Sequence, residues 1–514
     1  MSFTLRPRQQ TDLNDVRHEL RTHRSCLLVA PCGYGKGVVT TKIIEGSKLK
    51  GKHVLFIVYG RDRVNDMDER VTKLGIEHGV IMGDRQRARQ YSVQVASVST
   101  LHRMEHLPSA DLIIVDECHL GLSPTFRAVL DLYPAAKIIG LTATPVLGNG
   151  KPLGKASGGI FESMVKGPTV KQLIGEGFLC RSRVIAPPPP AGIAGIRKKK
   201  TGEFDENQGA AVCDNPTVIG DIVAHWKQHS SDRKTVAFGF HQAHAFHIAE
   251  SFRAAGVNFA YIDADTPDGD SIHEPGTRKF IMHQYDHGDL VGIASVGVIS
   301  IGWDHSICKS LIFASKTASF PRYHQRLGRG SRPHKGFTDF LVLDHTGNLY
   351  EHEEKGPFFE SDIDWQLDGD PVCAKDGDSA ERVRKCDTPV IVPDTGVPAG
   401  FTGEMSKNGE YMLCCFGSFP PGPKSCPYCG IPLPTRTQEI EVEEGQLQEL
   451  TLEDRERMEL KIRQESERKA YYLDLVKLQM EKGYRPGYSI VVFKSRFGYF
   501  PPRGWKAEVE RIVA

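Results

Sequence analysis

Residues 30–37, Ala-Pro-Cys-Gly-Tyr-Gly-Lys-Gly, constrain this 514-residue chain more than any other stretch. They follow the apolar run Cys26-Leu27-Leu28-Val29 and precede Val38-Val39-Thr40-Thr41-Lys42-Ile43-Ile44. The pattern predicts a strand, a glycine turn and a helix start. Gly33, Gly35 and Gly37 tolerate the backbone angles of a tight turn. The helix aims free N–H groups and the positive end of its dipole at that turn. Lys36 adds a full charge. Ala30, Pro31, Cys32, Gly33, Tyr34, Gly35, Lys36 and Gly37 are therefore expected to cradle phosphate. The strict form of such a loop carries Gly first and Ser or Thr after the lysine. Ala30 and Gly37 stand there instead, so the hydroxyl that would touch Mg2+ is missing.

A chain of this length exceeds one core, and two to four domains are expected. The formal charge is +1, so any nucleic-acid contact must come from a local groove rather than a basic whole. No apolar run approaches a membrane span. The opening Met1-Ser2-Phe3-Thr4-Leu5-Arg6 does not read as a signal peptide. Twelve scattered cysteines favour a reducing, cytoplasmic setting, the host cytoplasm if the chain is viral.

Residues 5–10 open a helix, with Leu13, Val16 and Leu20 at helical spacing behind them. Gln9 reads either as a solvated first-turn residue or as an amide that pairs with an adenine edge. Apolar runs follow at Val54–Tyr59, Val93–Ser97, Leu112–Val115 and Ile138–Leu141, with amphipathic stretches between. This is the rhythm of a parallel sheet with helices on both faces. Ligands in such sheets sit at the carboxyl ends of the strands. Asp116-Glu117-Cys118-His119 stands at one such end. Asp116 is expected to hold Mg2+ and Glu117 to deprotonate water. Thr142-Ala143-Thr144-Pro145 ends the next strand, where its hydroxyls can relay nucleotide state.

Gln9, the loop ending Gly35-Lys36, Asp-Glu-Cys-His and Thr-Ala-Thr-Pro occur in helicase order and spacing. The chain resembles a superfamily 2 helicase of the DEAD/DEAH-box type, near restriction-enzyme motor subunits and phage helicases. The resemblance implies that Arg61, Ser97 and Thr100 touch nucleic-acid phosphates. It also implies that His119 couples nucleotide state to motion together with Thr142, Thr144 and Gln325.

Residues 186–232 read as a linker: Pro187–Pro190 is a stiff rod, and Arg197-Lys198-Lys199-Lys200 is either a solvated hinge or a phosphate contact. Strands are expected again at Val236–Phe240, Phe259–Ile262, Leu290–Ala294, Ser310–Ala314 and Phe340–Leu343. His241, His244 and His247 recur every third residue, which allows a metal site, but a pair of exposed imidazoles with one backbone contact is expected instead. The family implies a nucleic-acid contact from His241 or Gln242. Residues 297–304 resemble the segment that bridges nucleotide and nucleic acid, with Asp304 towards the nucleotide and Ser300 and Gly302 nearer the strand. Gln325-Arg326-Leu327-Gly328-Arg329-Gly330-Ser331-Arg332 is close to the family pattern Gln-Arg-x-Gly-Arg-x-x-Arg. Arg329 and Arg332, three apart, would share one helical face and reach a γ-phosphate when the cleft closes.

Cys414-Cys415 and Cys426-Pro427-Tyr428-Cys429-Gly430 read either as an irregular zinc ribbon or as a reduced cysteine cluster. Cys414, Cys415, Cys426 and Cys429 are the ribbon's candidate ligands, with Cys386 able to fold back. Thr451–Met480 reads as a long helix with the stripe Leu473, Val476, Met480. The tail from Tyr484 to Trp505 mixes aromatics and bases and reads as a base-stacking surface or an aromatic cluster.

The expected fold is α/β: two tandem RecA-like doubly wound parallel-sheet domains, a small cysteine-containing module and a helical tail. The spans are 1–185, 186–232 for the linker, 233–348, 349–435 and 436–514. ATP and Mg2+ would occupy the cleft between the two large domains, and nucleic acid, DNA before RNA by family branch, would be the track. Three functions remain open: a helicase or translocase, a motor subunit of a restriction-like or remodelling assembly docking through the C-terminal module, and a nucleotide-gated clamp that does not hydrolyse. No nuclease-like constellation of acids and lysine stands out.

Overall fold

The computed structural model describes residues 4–433 outside positions 59, 84, 121–122, 200, 298–304, 370–371, 374–382, 387–388, 393–403, 406–410 and 421, and beyond them residues 468, 470–479, 481–482 and 488–497. The chain divides into two compact units, Met1–Pro434 and Thr435–Ala514.

The first unit holds two large sheets. The strands of the first are β1 (Ser25–Val29), β2 (Val54–Val58), β3 (Gly79–Met82), β4 (Arg85–Arg87), β5 (Val93–Ser97), β6 (Leu112–Asp116), β7 (Lys137–Thr142) and β8 (Ser163–Lys166). Their order is β4-β3-β5-β2-β6-β7-β1-β8. Seven are parallel, and β4 turns back against β3. The apolar runs are continuous because both faces are covered. Cys26 and Leu28 of β1 enter one core, while Leu27 and Val29 enter another. Val54, Phe56 and Val58 of β2 alternate with Leu55 and Ile57 in the same way.

The second sheet is built on β9 (Arg181–Ile185), β10 (Lys234–Phe238), β11 (Phe259–Ile262), β12 (Gly292–Ser295), β13 (Cys308–Phe313) and β14 (Asp339–Asp344), all parallel. The remaining short strands are β15 (Ile363–Asp364), β16 (Val372–Cys373), β17 (Arg384–Lys385), β18 (Pro389–Val392), β19 (Glu404–Met405), β20 (Tyr411–Cys414) and β21 (Gly417–Phe419). The order of the second sheet is β11-β12-β10-β13-β14-β9-β21-β17. Two doubly wound sheets and a cysteine-bearing module follow the expected α/β plan.

Every strand expected in the two sheets is present. One assignment shifts. β9 lies inside the span expected of the first domain, yet it pairs with β14 in the second sheet. The chain therefore changes sheets before Arg181. The span read as linker contains the helices Glu206–Cys213 and Pro216–His229. Its basic run is tied down: Lys198 meets Glu351 at 2.9 Å and Lys199 meets Glu206 at 2.7 Å.

In the second unit Tyr472 and Phe493 stack edge to face at 5.6 Å, and Tyr471 meets Phe497 at 5.6 Å. The described part of the tail is thus an aromatic cluster. Residues 470–479 are helical; most of the expected helix, and the tail outside 488–497, lie outside the described residues.

Burial holds six histidines far below their ordinary range: His119, His229, His244 and His324 at about 4, and His225 and His352 at about 3. Each is neutral in the fold but charges near pH ~6.5 once unfolded. The unfolded chain therefore binds more protons between these values, and stability rises with pH across that window. Thermal unfolding should be insensitive to pH above ~6.5 and drop steeply as pH falls from there towards ~4. A flat melting temperature over that window would contradict the burial.

Candidate functional site

The turn after β1 is held from behind. Gly33 and Gly35 take φ of 90° and 91°, the left-handed region that favours glycine. Between them Tyr34 is buried; its hydroxyl donates to Asp12 at 2.6 Å and its carbonyl accepts from the Gln9 amide at 2.7 Å. The Gln9 oxygen accepts from the Arg6 backbone at 2.9 Å. Gln9 is therefore not the solvated first-turn residue of the simpler reading. Its amide nitrogen braces the loop from the helix Pro7–Thr22, while its amide oxygen caps the start of that helix. Lys36 begins the helix Lys36–Lys48, and its Nζ donates to the Ala30 carbonyl at 3.1 Å.

Asp116 and Glu117 stand at the end of β6. Glu117 has a φ of 45°, a strained conformation for a residue with a side chain. Burial alone would raise the Glu117 carboxyl, but Lys36, His119, Arg63 and Arg329 outweigh it and hold it at about 2. Burial and the adjacent Glu117 charge push Asp116 up. Arg63 Nη1 lies 3.6 Å from Asp116 Oδ2.

A polar chain leads away from the acids. His119 Nδ1 is 2.8 Å from Thr142 Oγ1, which donates to the Thr144 carbonyl at 2.9 Å and accepts from the Thr144 N–H at 3.0 Å. With the Thr142 proton so used, His119 carries its proton on Nδ1. Its Nε2 then accepts from the Gln325 amide at 2.6 Å, across the two lobes. His119, Thr142, Thr144 and Gln325, expected as coupling residues, form one connected path.

The second lobe brings the helix Phe320–Gly330 to the loop. A Cβ at Gly328 would lie 2.8 Å from the Cys32 Cβ, so glycine permits this close approach. Arg326 points inward, 4.9 Å over Phe238. Arg329 and Arg332 both line the cleft with Lys36, Asp116 and Glu117. They do so without sharing a helical face, because the helix ends at Gly330 and Arg332 lies beyond it. A side chain at Gly33 would overlap the Arg332 guanidinium. Arg63 and Arg70, on one face of the helix Arg61–Lys73, line the same cleft and were not anticipated. Their seven-residue spacing, two helical turns, was the available signal.

Residues 2–147 match the model of the type III restriction enzyme res subunit. They form a ResIII domain, the superfamily 2 helicase domain of restriction subunits. The chain is 25% identical over 327 residues to a 51.5 kDa protein of a Lactococcus phage, covering 63% of this chain and 66% of the phage protein. It is 24% identical over 268 residues to a Saccharomyces cerevisiae protein named as an ATP-dependent helicase, IRC3, covering 50% of this chain and 37% of the yeast one. The chain thus spans less than two thirds of these relatives. The fold is similar to a fragment named as an HsdR subunit of a type I restriction enzyme from Vibrio vulnificus, with a TM-score of 0.52, 20% identity, and coverage of 72% of this chain and 70% of that one. The proteins to which the chain is similar thus include a restriction-enzyme subunit and a protein named as an ATP-dependent helicase.

Of the residues that the helicase resemblance assigned to nucleic acid, Ser97, Thr100 and His241 make local contacts. Ser97 is buried and bonds Ser99 at 2.9 Å, and the Thr100 hydroxyl accepts from the Gly83 N–H at 2.8 Å. His241 caps the helix Gln242–Ala254, accepting from the His244 N–H at 3.1 Å. Gln242 donates to Asp263 at 3.0 Å and Asp265 at 2.9 Å. His244 is fully buried, and the exposed His247 pairs with Asp214 at 2.9 Å. The three imidazoles therefore diverge. The Arg61 side chain, Ser300, Gly302 and Asp304 lie outside the described residues.

Cys386, Cys415, Cys426 and Cys429 bring their sulfurs within 4.8 Å of one another. Cys386 thus completes the group from upstream. Cys414 ends β20 with its side chain outside the described residues. The contacts Cys386–Cys429 and Cys415–Cys426 are both 3.7 Å. Four sulfurs about 2.3 Å from one tetrahedral ion lie roughly 3.8 Å apart, so the group fits zinc.

Lys309 sits inside the apolar β13, fully buried, and its ammonium donates to the carbonyls of Gly330 at 3.0 Å and of Arg332. It holds the end of the arginine-bearing helix. Lys309→Met should leave both carbonyls without this donor and cost about 1–3 kcal/mol in urea unfolding. An unchanged midpoint would show that this clamp contributes nothing.

Proposed function

We propose that this chain is an ATP-driven DNA helicase or translocase whose triphosphate lies in the cleft between the two lobes. The observation that carries this reading is the convergence of Lys36, Asp116 and Glu117 with Arg329 and Arg332. The cleft gathers five cationic side chains and three acids: Lys36, Arg63, Arg70, Arg329 and Arg332 with Asp66, Asp116 and Glu117. That donor set fits a polyanion, and the paired acids fit a divalent cation. Lys36 and the loop amides bind phosphate. Magnesium held by Asp116 supplies charge neutralisation at the phosphate oxygens. Glu117, ionised at neutral pH, accepts the proton of the attacking water. Arg329 and Arg332, brought by the second lobe, stabilise charge on the leaving phosphoryl group.

Gln325, His119 and Thr142 tie that chemistry to lobe movement, because their path crosses the cleft. DNA is favoured as the track by the restriction-type family. A role as the motor subunit of a larger assembly is favoured by the 27% identity, over 264 residues, to the Escherichia coli type I restriction enzyme EcoAI endonuclease subunit. The C-terminal module is then the docking site.

The deciding experiment is phosphate release by the purified chain with and without single-stranded and forked DNA or RNA. DNA should stimulate release, and Glu117→Gln should abolish it by a factor of about 10³ or more. No stimulated release would leave the non-hydrolysing clamp as the better description. Strand displacement on the forked substrate separates the free helicase from the assembly motor.

The four thiols hold one zinc ion in this reading. Metal analysis of the purified chain should find one zinc per chain. Cys386→Ser and Cys429→Ser should lose it, whereas Cys414→Ser should retain it. Loss of zinc from Cys414→Ser with retention in Cys386→Ser would reverse the ligand assignment.

A further inference from the structure

The loop lacks the hydroxyl that follows its lysine, and the space beside that position is filled. A Cβ built at Gly37 would overlap the Arg70 guanidinium. Gly37 has no left-handed φ that would demand glycine; the strained glycines of the loop are Gly33 and Gly35. The backbone there does not demand glycine, and what a side chain at residue 37 would meet is the far end of the exposed Arg70 side chain. Arg70 comes from the helix Arg61–Lys73, which lies against the cleft with Arg63, Met67 and Arg70, one position per helical turn. Arg63 reaches Asp116 from the same face, and its Nε has no hydrogen-bond partner among the described residues.

We propose that Arg70 is a phosphate ligand of this cleft, and that Gly37 and Arg70 are a matched pair in which a guanidinium does the work of the absent hydroxyl. The inference rests on reading the cleft as a nucleotide site. A hydroxyl after the lysine acts on phosphate through a metal ion. A guanidinium acts directly, by charge-assisted N–H donors matched to phosphate oxygens. The two devices compete for one space: any side chain at residue 37 must push Arg70 aside. The substitution therefore alters which phosphate contacts need metal. It leaves Lys36, the loop amides and the two arginines of the second lobe where they are.

The test is equilibrium binding of a methylanthraniloyl-labelled ATP to the full chain, in excess EDTA and in magnesium, with thermal melts to confirm folding. Wild type should bind in EDTA, with affinity changing less than about threefold on adding magnesium. Arg70→Ala should weaken binding in EDTA by about ten- to a hundredfold, the loss of one charge-assisted contact. Arg70→Lys should recover only part of it, since an ammonium lacks the two-pronged geometry. Gly37→Ser should weaken binding in EDTA by displacing the guanidinium. Gly37→Ser combined with Arg70→Ala should bind well only with magnesium, gaining about tenfold or more from the metal. Equal binding by wild type and Arg70→Ala in both buffers would overturn the proposal. So would a double variant with no greater magnesium dependence than wild type. Wild type that binds no nucleotide in either buffer would instead defeat the underlying reading of the cleft, and the proposal with it.

Discussion

Two acids at the end of a buried strand are the constraint on which the two lobes depend. Carboxylates withdrawn from water are costly unless cations and hydrogen bonds replace their solvation. The first lobe supplies Lys36 and Arg63, and the second supplies Arg329. Glu117 is thus held ionised by charges that meet only if the lobes face one another. This has a chemical consequence. A carboxylate held at about 2 is a weak base in the ground state. Its basicity depends on what else draws on those cations. A triphosphate in the same cleft competes for Lys36, Arg63 and Arg329, which lets the carboxylate recover basicity when the substrate is in place.

The neighbouring histidine follows the opposite logic. His119 is kept neutral by burial, and neutrality lets one ring nitrogen donate to Thr142 while the other accepts from Gln325. A charged imidazole would offer donors at both ends and lose the contact with the Gln325 amide. The path between the lobes thus requires the same dryness that makes the acids expensive. The helix beyond it is held at both ends. Glu203 accepts from the Ser319 N–H at 2.9 Å and the Thr317 hydroxyl at 2.9 Å ahead of the helix, while Lys309 holds the carbonyls of Gly330 and Arg332 behind it. The position of the arginine-bearing helix therefore depends on the charges of Glu203 and Lys309 at its two ends.

What could be read from the sequence were the features confined to short stretches. The glycine loop, the Asp-Glu-Cys-His turn, the two threonines and the Gln-Arg-x-Gly-Arg run each carry their geometry in consecutive residues. Ten of the parallel strands announced themselves as apolar runs. Features fixed by distant partners were not legible. Nothing near Arg70 signals that it meets Gly37, thirty-three positions away. β9 reads as the end of the first lobe because its partner β14 lies more than 150 residues downstream. Cys386 reads only as an alternative able to fold back, because no ligand spacing fixes its place with Cys415, Cys426 and Cys429. Arg332 escapes the helical spacing because the Lys309 clamp closes on the chain just beyond Gly330. A lysine inside an apolar strand was itself a signal, since a buried ammonium needs acceptors.

The position of β9 also decides how the cysteine cluster is carried. β21 pairs with β9 through Gly417–Ile185 and Ser418–Val184, and β17 pairs with β21. The Val184 N–H donates to the Tyr428 hydroxyl at 3.1 Å, and Arg183 lies 4.8 Å over the Tyr428 ring. Tyr428 is inside the Cys-x-x-Cys knuckle. Two of the eight strands in the second sheet thus belong to the cysteine module. Backbone pairing of this kind does not flex independently of the sheet that it extends. A movement of the second lobe against the first must carry the thiol cluster with it, so a metal gripped there would stiffen the same edge that starts with the chain's crossing from one lobe to the other.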